Sequence, residues 1–207
     1  MKDWQVMMSR LSGKDWTGNK KSTYVTLGAS SHSSGVRHSE DYYATDPKTI
    51  DELLAVEDFV GGIWENACGE GHLSKELERA GYNVTSTDLI DRGFGAGGVD
   101  FLSSTELLQP NIITNPPYKY AQKFVEHSLN LGAEKVAMFL KLTFLEGKAR
   151  HEMFKKYPLK KVWVYSSRRQ AAINGDPEMF NKSSPAAYGW FIWEKGYDGE
   201  PTIGWIK

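Results

Sequence analysis

Residues 111–114, strand-like in composition, run into Asn115-Pro116-Pro117-Tyr118, four residues whose types suit the activation of an amino nitrogen conjugated to a flat ring. The lone pair of such a nitrogen is delocalised, so it is a poor nucleophile until it is drawn towards tetrahedral geometry. Two acceptors, the Asn115 side-chain oxygen and the Pro116 carbonyl, can hold its two hydrogens and turn the lone pair towards an electrophile. Consecutive prolines stiffen the backbone that aims them, which is preorganisation rather than acid and base chemistry. Asn115 has no basic group and cannot act as a general base. Tyr118 offers a face on which a flat target can stack, offsetting the stacking lost when a base leaves a helix. Proline also terminates strands, which explains the stop but not the flanking Asn and Tyr.

A second constellation lies upstream. The run Glu65-Asn66-Ala67-Cys68-Gly69-Glu70-Gly71 leads into a helical pattern beginning near His72. A turn that tight needs glycine, and Gly69 and Gly71 can bring backbone N–H groups against a ligand at the helix N-terminus. Asp88, about twenty residues on and just after the next strand, can accept hydrogen bonds from both hydroxyls of a ribose. Together they imply a nucleoside-containing cofactor. A nicotinamide dinucleotide fits poorly, since Ser74 stands where a third glycine would allow close helix packing. Glu65 at the strand end would also repel a pyrophosphate, whereas it would attract the ammonium of a methionine moiety. The acid therefore favours S-adenosylmethionine. Asp100 either accepts from the cofactor's adenine amino group, with Phe101 lying against the ring, or is a plain turn aspartate.

These residues must be held by an α/β framework. Strands are predicted over 62–67, 83–87, 111–114, 135–140, 161–165 and 188–193, with helices over 72–80, 119–131 and 146–156 between them. Asp46-Pro47 reads as a further helix start, with Asp46 as N-cap and Pro47 in the first turn. Such alternation predicts a mostly parallel sheet covered by helices, whose ligands bind beyond the carboxyl ends of its strands. Both constellations sit there. Residues 1–40, rich in Ser, Gly and Lys, read as a flexible or loosely docked arm, and 41–207 as the catalytic domain.

At 207 residues the chain suits one domain with a short appendage. Cys68, the single cysteine, excludes an internal disulfide and a cysteine-rich zinc site, and the five histidines lack ligand spacing. The chain starts without a signal-like apolar run and contains no membrane-length one, so a cytoplasmic protein that needs no metal and no membrane is expected. The net charge of −1 hides segregation: residues 40–118 hold 4 Lys or Arg against 15 Asp or Glu, and residues 119–170 hold 12 against 4. Lys155, Lys156, Lys160 and Lys161 either solvate a helix and its exit or face a polyanion.

Taken together, the chain resembles the class I S-adenosylmethionine-dependent amino-methyltransferases, and more narrowly the small phage and prophage DNA adenine N6-methyltransferases. The resemblance rests on Asp41-Tyr42-Tyr43-Ala44-Thr45-Asp46-Pro47, Trp64 to His72, Ser86-Thr87-Asp88-Leu89, the Asn115 tetrad and Ala187-Tyr188-Gly189-Trp190-Phe191. It implies a Rossmann-like, seven-stranded, mostly parallel sheet with an antiparallel last strand formed by residues 188–193, and helices on both faces. Tyr43, Thr45 and Pro47 would line the methionine end of the cofactor, with Ala67 and Leu89 as further contacts. S-adenosylhomocysteine would be the product. Lys119, Arg168, Arg169, Asn174 and Lys182 are the candidate nucleic-acid contacts. Restriction-type relatives carry a sizeable recognition domain, whereas only residues 166–187 are available here, so a very short target or a partner subunit is implied. Adenine in DNA is the expected acceptor. Cytosine N4 meets the same requirements, and the tetrad also occurs in enzymes that methylate adenine in RNA or glutamine in proteins. Glutamine would leave the basic half and the Arg168-Arg169 pair without a purpose. Cytosine C5 transfer needs a cysteine following a proline, and Cys68 follows Ala67. A non-catalytic nucleic-acid-binding module on the same fold is the reading from another class.

Overall fold

The apolar runs and the helical patterns between them assemble in a computed structural model that describes residues 43–167, 171–173 and 186–207, all within the unit Arg37–Lys207. The arm expected over residues 1–40, and Arg168, Arg169, Asn174 and Lys182, lie outside the described residues. In chain order the elements are β1 (Tyr43–Thr45), α1 (Lys48–Leu54), β2 (Ile63–Glu65), α2 (His72–Arg79), β3 (Val84–Ser86), β4 (Asn111–Thr114), α3 (Ala121–Asn130), β5 (Lys135–Lys141), α4 (Lys148–Lys156), β6 (Lys161–Tyr165), β7 (Ala171–Ile173), β8 (Tyr188–Glu194) and β9 (Thr202–Ile206). No helix among the described residues is long and apolar enough to cross a membrane.

Seven strands form one sheet in the order β3-β2-β4-β5-β8-β6-β9, and β1 pairs with β7 in a separate two-stranded ribbon. Within the large sheet β8 runs antiparallel to both β5 and β6, while the other neighbouring pairs are parallel. The expected fold class is the observed one, and the antiparallel strand is where the sequence puts it. The chain continues one strand further: β9 forms the edge, so the antiparallel strand is the penultimate one. A glycine in mid-strand ordinarily signals a break, but at Gly204 a Cβ would lie 2.2 Å from the Trp163 ring, so glycine lets that indole cross the edge strand.

Alternation along the strands sorts the core into two layers. Trp64, Ile112, Val136, Met138 and Phe191 face α3 and α4, whereas Ile63, Ile113, Ala137, Phe139 and Trp190 face α1 and α2. Helices therefore cover both faces, and each large apolar side chain so buried contributes about 1.5–3 kcal/mol. The chain enters α1 as expected: Pro47 already has helical angles, and the Asp46 carboxylate accepts from the Lys48 N–H at 3.1 Å. The proline pair delays α3 to residue 121, and Gly147, at φ 107°, delays α4 to residue 148.

Candidate active site

From β2 the chain passes to β3 on one side and then returns to β4 on the other. The crevice at the carboxyl ends of β2 and β4 is therefore the topological switch point, where open α/β sheets take their ligands. Both constellations read from the sequence converge on it. The β2 end supplies residues 66–71, the β3 end supplies Asp88, and the β4 end supplies Asn115 to Tyr118.

Asp88 ties this region together. Its Oδ2 accepts from the Gly69 N–H and its Oδ1 from the Ile90 N–H, each at 2.8 Å. A carboxylate has about four lone-pair positions, so two remain for the hydroxyls of a ribose. The glycine turn differs from expectation. The Gly69 N–H is given to Asp88 and the Gly71 N–H to the Cys68 carbonyl at 2.8 Å, so neither is turned to a ligand. Gly71 adopts φ 79°, and a Cβ there would lie 2.4 Å from the Phe94 ring. Its glycine requirement thus comes from a left-handed turn beneath Phe94, a residue the sequence reasoning passed over. The dense glycines around it, Gly93, Gly95, Gly97 and Gly98, were the available signal.

Glu65 is 2% exposed and accepts a hydrogen bond from the Ser74 hydroxyl, which lies 2.6 Å from that of Ser86. In place of the missing third glycine, α2 is thus fastened to β2 and β3 by a serine. Burial pushes the Glu65 carboxyl up to about 8, with Asp88 and Glu78 adding to the rise against the Ser74 hydrogen bonds. This shift favours the neutral form and weakens the standing charge expected to attract an ammonium. Cys68, also shielded, has its thiol pushed up to about 12 by burial and by the neighbouring Glu65 and Asp88.

Asp100 is an exposed turn aspartate: it caps the short 3-10 turn Phe101–Ser103, accepting from the Leu102 N–H at 3.0 Å and the Ser103 hydroxyl at 2.8 Å. Phe101 is 1% exposed and enclosed by Trp64, Phe124 and His127, with ring centroids 4.9–5.1 Å away. It is a core residue rather than a ring presented to adenine, because those partners occupy its surroundings. Ala67 is half-buried behind the turn, and Leu89 is 59% exposed beside Asp88.

Thr45 is 2% exposed, and its Oγ1 accepts from the Asn115 Nδ2–H at 2.9 Å. Tyr43 and Thr45 lie in β1, opposite Ile173 and Ala171 of β7. Pro116 is buried, Pro117 is exposed, and the Pro117 carbonyl accepts from the Tyr120 N–H at 2.8 Å, closing the turn into α3. The half-buried Tyr118 donates its hydroxyl to that of Tyr188 at 3.2 Å, and the Lys141 Nζ stands 4.7 Å from its ring centroid. Lys119 is exposed, with its Nζ 5.1 Å from the Tyr120 ring.

Among the described residues of the basic half, the cluster from Lys155 to Lys161 does not gather around the tetrad. Lys155 and Lys156 end α4, and Lys160 and Lys161 enter β6, at the amino-terminal side of the parallel strands and away from the crevice. Lys155 is paired with Glu152, Lys160 with Glu194 and Lys135 with Glu57. Lys119 and Lys141 are the lysines of that segment beside the tetrad.

Buried polar groups ordinarily have partners, yet both amide atoms of Asn66 and the Thr114 hydroxyl have none. Asn66 directly follows β2 and Thr114 ends β4, and the two strands are neighbours in the sheet. With Asp88 alongside, orphaned donors and acceptors in the crevice fit a polar nucleoside cofactor.

No protein-family model matches the sequence, and no curated protein matches it. Solved structures do match in shape. A dimethyladenosine transferase from Plasmodium falciparum aligns with TM-score 0.51 at 13% identity, over 73% of this chain and 62% of that one. Magnesium protoporphyrin IX methyltransferase from Synechocystis, solved with bound S-adenosylmethionine, aligns with TM-score 0.50 at 12% identity, over 94% and 92%. A predicted O-methyltransferase from Agrobacterium tumefaciens gives 0.52 at 11%, over 78% and 86%. The chain thus spans under two thirds of the first of these structures and most of the other two. From the sheet order and these likenesses, the chain has the Rossmann-like fold of class I S-adenosylmethionine-dependent methyltransferases.

Proposed function

We propose that this chain transfers a methyl group from S-adenosylmethionine to an exocyclic amino nitrogen, N6 of adenine in DNA. The observation that carries this reading is the placement of Asn115 at the switch point, one strand from the glycine turn and two from the strand leading to Asp88. Bound S-adenosylmethionine supplies a methyl group on a sulfonium and leaves as S-adenosylhomocysteine. Asp88 accepts the ribose hydroxyls on the lone pairs that Gly69 and Ile90 leave, and Asn66 and Thr114 offer further polar contacts. The Asn115 Oδ1 and the Pro116 carbonyl accept the two hydrogens of the amino group. This turns the nitrogen lone pair out of conjugation and needs no general base before the N–C bond forms. The nitrogen then sheds one hydrogen as a proton to water. Tyr118 supplies the stacking face for the ring, and Lys119 and Lys141 supply positive charge beside it. Arg168, Arg169 and Asn174 belong to this proposal as contacts to the nucleic acid.

The test is transfer of labelled methyl to DNA, RNA and protein pools in parallel, followed by nucleoside analysis. Label in DNA as N6-methyladenine is expected. Asn115→Ala should keep its cofactor affinity within about twofold while the rate drops roughly 100-fold, since Asn115 acts chiefly in the transition state. Label only in RNA or protein, or in DNA as N4-methylcytosine, overturns the acceptor assignment. Absence of transfer to every pool overturns the enzyme reading.

A further inference from the structure

The proposed chemistry needs the oxygen, not the nitrogen, of the Asn115 carboxamide to face the acceptor amino group. The two ends of an amide are similar in shape and opposite in polarity. In this site a residue from a distant part of the chain holds the nitrogen end: the Asn115 Nδ2–H donates to Thr45 Oγ1 at 2.9 Å across a sequence separation of 70. A hydroxyl can accept or donate, so it tolerates either end of the amide. With an amino group bound on the far side, the flipped arrangement would set two N–H donors against each other. Only with Nδ2 on Thr45 is Oδ1 on the side of the incoming hydrogens.

Both ends of this hydrogen bond are firmly held. Asn115 follows Ile112, Ile113 and Thr114, each 0% exposed. Thr45 is 2% exposed and fixed from two directions. It sits opposite Ala171 in the antiparallel β1–β7 ribbon, and it precedes Asp46, whose carbonyl accepts from the Thr49 hydroxyl at 2.7 Å as α1 begins. That helix is anchored in turn by Ile50 and Leu53, both 0% exposed. A hydrogen bond between two such fixed points can hold a side chain to the narrow angular range that orientation-dependent catalysis requires.

We propose that Thr45 is a positioning residue that holds the Asn115 carboxamide in place, with Oδ1 towards the acceptor amino group that selects that end. This rests on the reading of Asn115 given above, and it differs from the expectation that Thr45 serves the cofactor. Loss of one such hydrogen bond corresponds to a roughly 10-fold to 30-fold effect on rate. In the full chain, Thr45→Val keeps the shape and removes the hydroxyl, and Thr45→Ser keeps the hydroxyl. The expected result for Thr45→Val is a kcat on adenine-containing DNA lowered roughly 10-fold to 30-fold, with KM for DNA and the S-adenosylmethionine Kd within about twofold. Thr45→Ser should stay within about threefold of the parent, and Thr45→Val should add nothing to Asn115→Ala, because the interaction is then already gone. Independently of turnover, the side-chain amide protons of Asn115, followed by 15N-edited NMR, should exchange faster with water in Thr45→Val than in the parent and Thr45→Ser. An unchanged kcat in Thr45→Val overturns the inference, as does an effect confined to cofactor Kd, a Thr45→Ser as impaired as Thr45→Val, or an amide signal indifferent to the substitution. If the amide signal responds but the parent transfers no methyl group, the functional reading of Asn115 has failed and the positioning role falls with it.

Discussion

Replacing Glu65 with Gln isolates one buried proton. Glu65 is 2% exposed, accepts from Ser74 on α2, and has its carboxyl pushed up to about 8 from an ordinary 4.5, with burial the largest cause. Between those two values the folded chain holds a proton that the unfolded chain has released. Stability therefore falls as pH rises through this window, at about 1.4 kcal/mol per pH unit. The contribution is fully present below about 4.5 and lost once pH has passed about 8. Over the whole window the loss is on the order of 5 kcal/mol, large beside the roughly 5–15 kcal/mol that separates folded from unfolded in most domains. Gln is a neutral near-isostere that keeps an oxygen for the Ser74 hydroxyl, so Glu65→Gln should remove this slope and leave every other titration in place. Urea denaturation followed by tryptophan fluorescence from pH 5 to 9 measures it. The parent should lose stability relative to the variant as pH rises, with the difference growing across neutral pH and flattening above 8. Parallel curves would mean that Glu65 is ionised in the folded chain, and the assigned proton would be refuted.

Asp88→Ala removes the acceptor for the Gly69 and Ile90 N–H groups as well as for a ribose, so S-adenosylmethionine affinity should fall by about 1.5–3 kcal/mol and the Tm with it. Unchanged affinity by calorimetry removes Asp88 from the site. Gly71→Ala meets two separate costs, a left-handed φ of 79° and a Cβ 2.4 Å from the Phe94 ring, and should destabilise the fold by roughly 1–3 kcal/mol in urea titrations. Adding Phe94→Ala should recover the clash but not the backbone strain. Full recovery, or none, would show that one of the two costs has been misassigned.

The sequence by itself determined six of the strands and the helices between them, the pairing of Gly69 to Gly71 with Asp88, and the isolation of the Asn115 tetrad at a strand end. Those features are local: apolar periodicity, turn chemistry and proline each act within a few residues, so they can be read without knowing what lies across the fold. It did not determine β1, β7 or β9, strands of three to five residues too short to show a period; in β9 the indole of Trp163 takes the place of a side chain at Gly204. It could not decide whether Phe101 faces a ligand, since the answer depends on Trp64 from β2 and on Phe124 and His127 from α3 converging on it. Nor could it show the burial that raises the Glu65 carboxyl. Among the described residues the basic half of the sequence is dispersed in space, because a lysine at the start of a strand and one at its end stand at opposite ends of the sheet, as Lys135 and Lys141 do. The hydrogen bond from Asn115 to Thr45 was beyond any local rule: it joins residues 70 apart, and only the fold brings β1 to the end of β4.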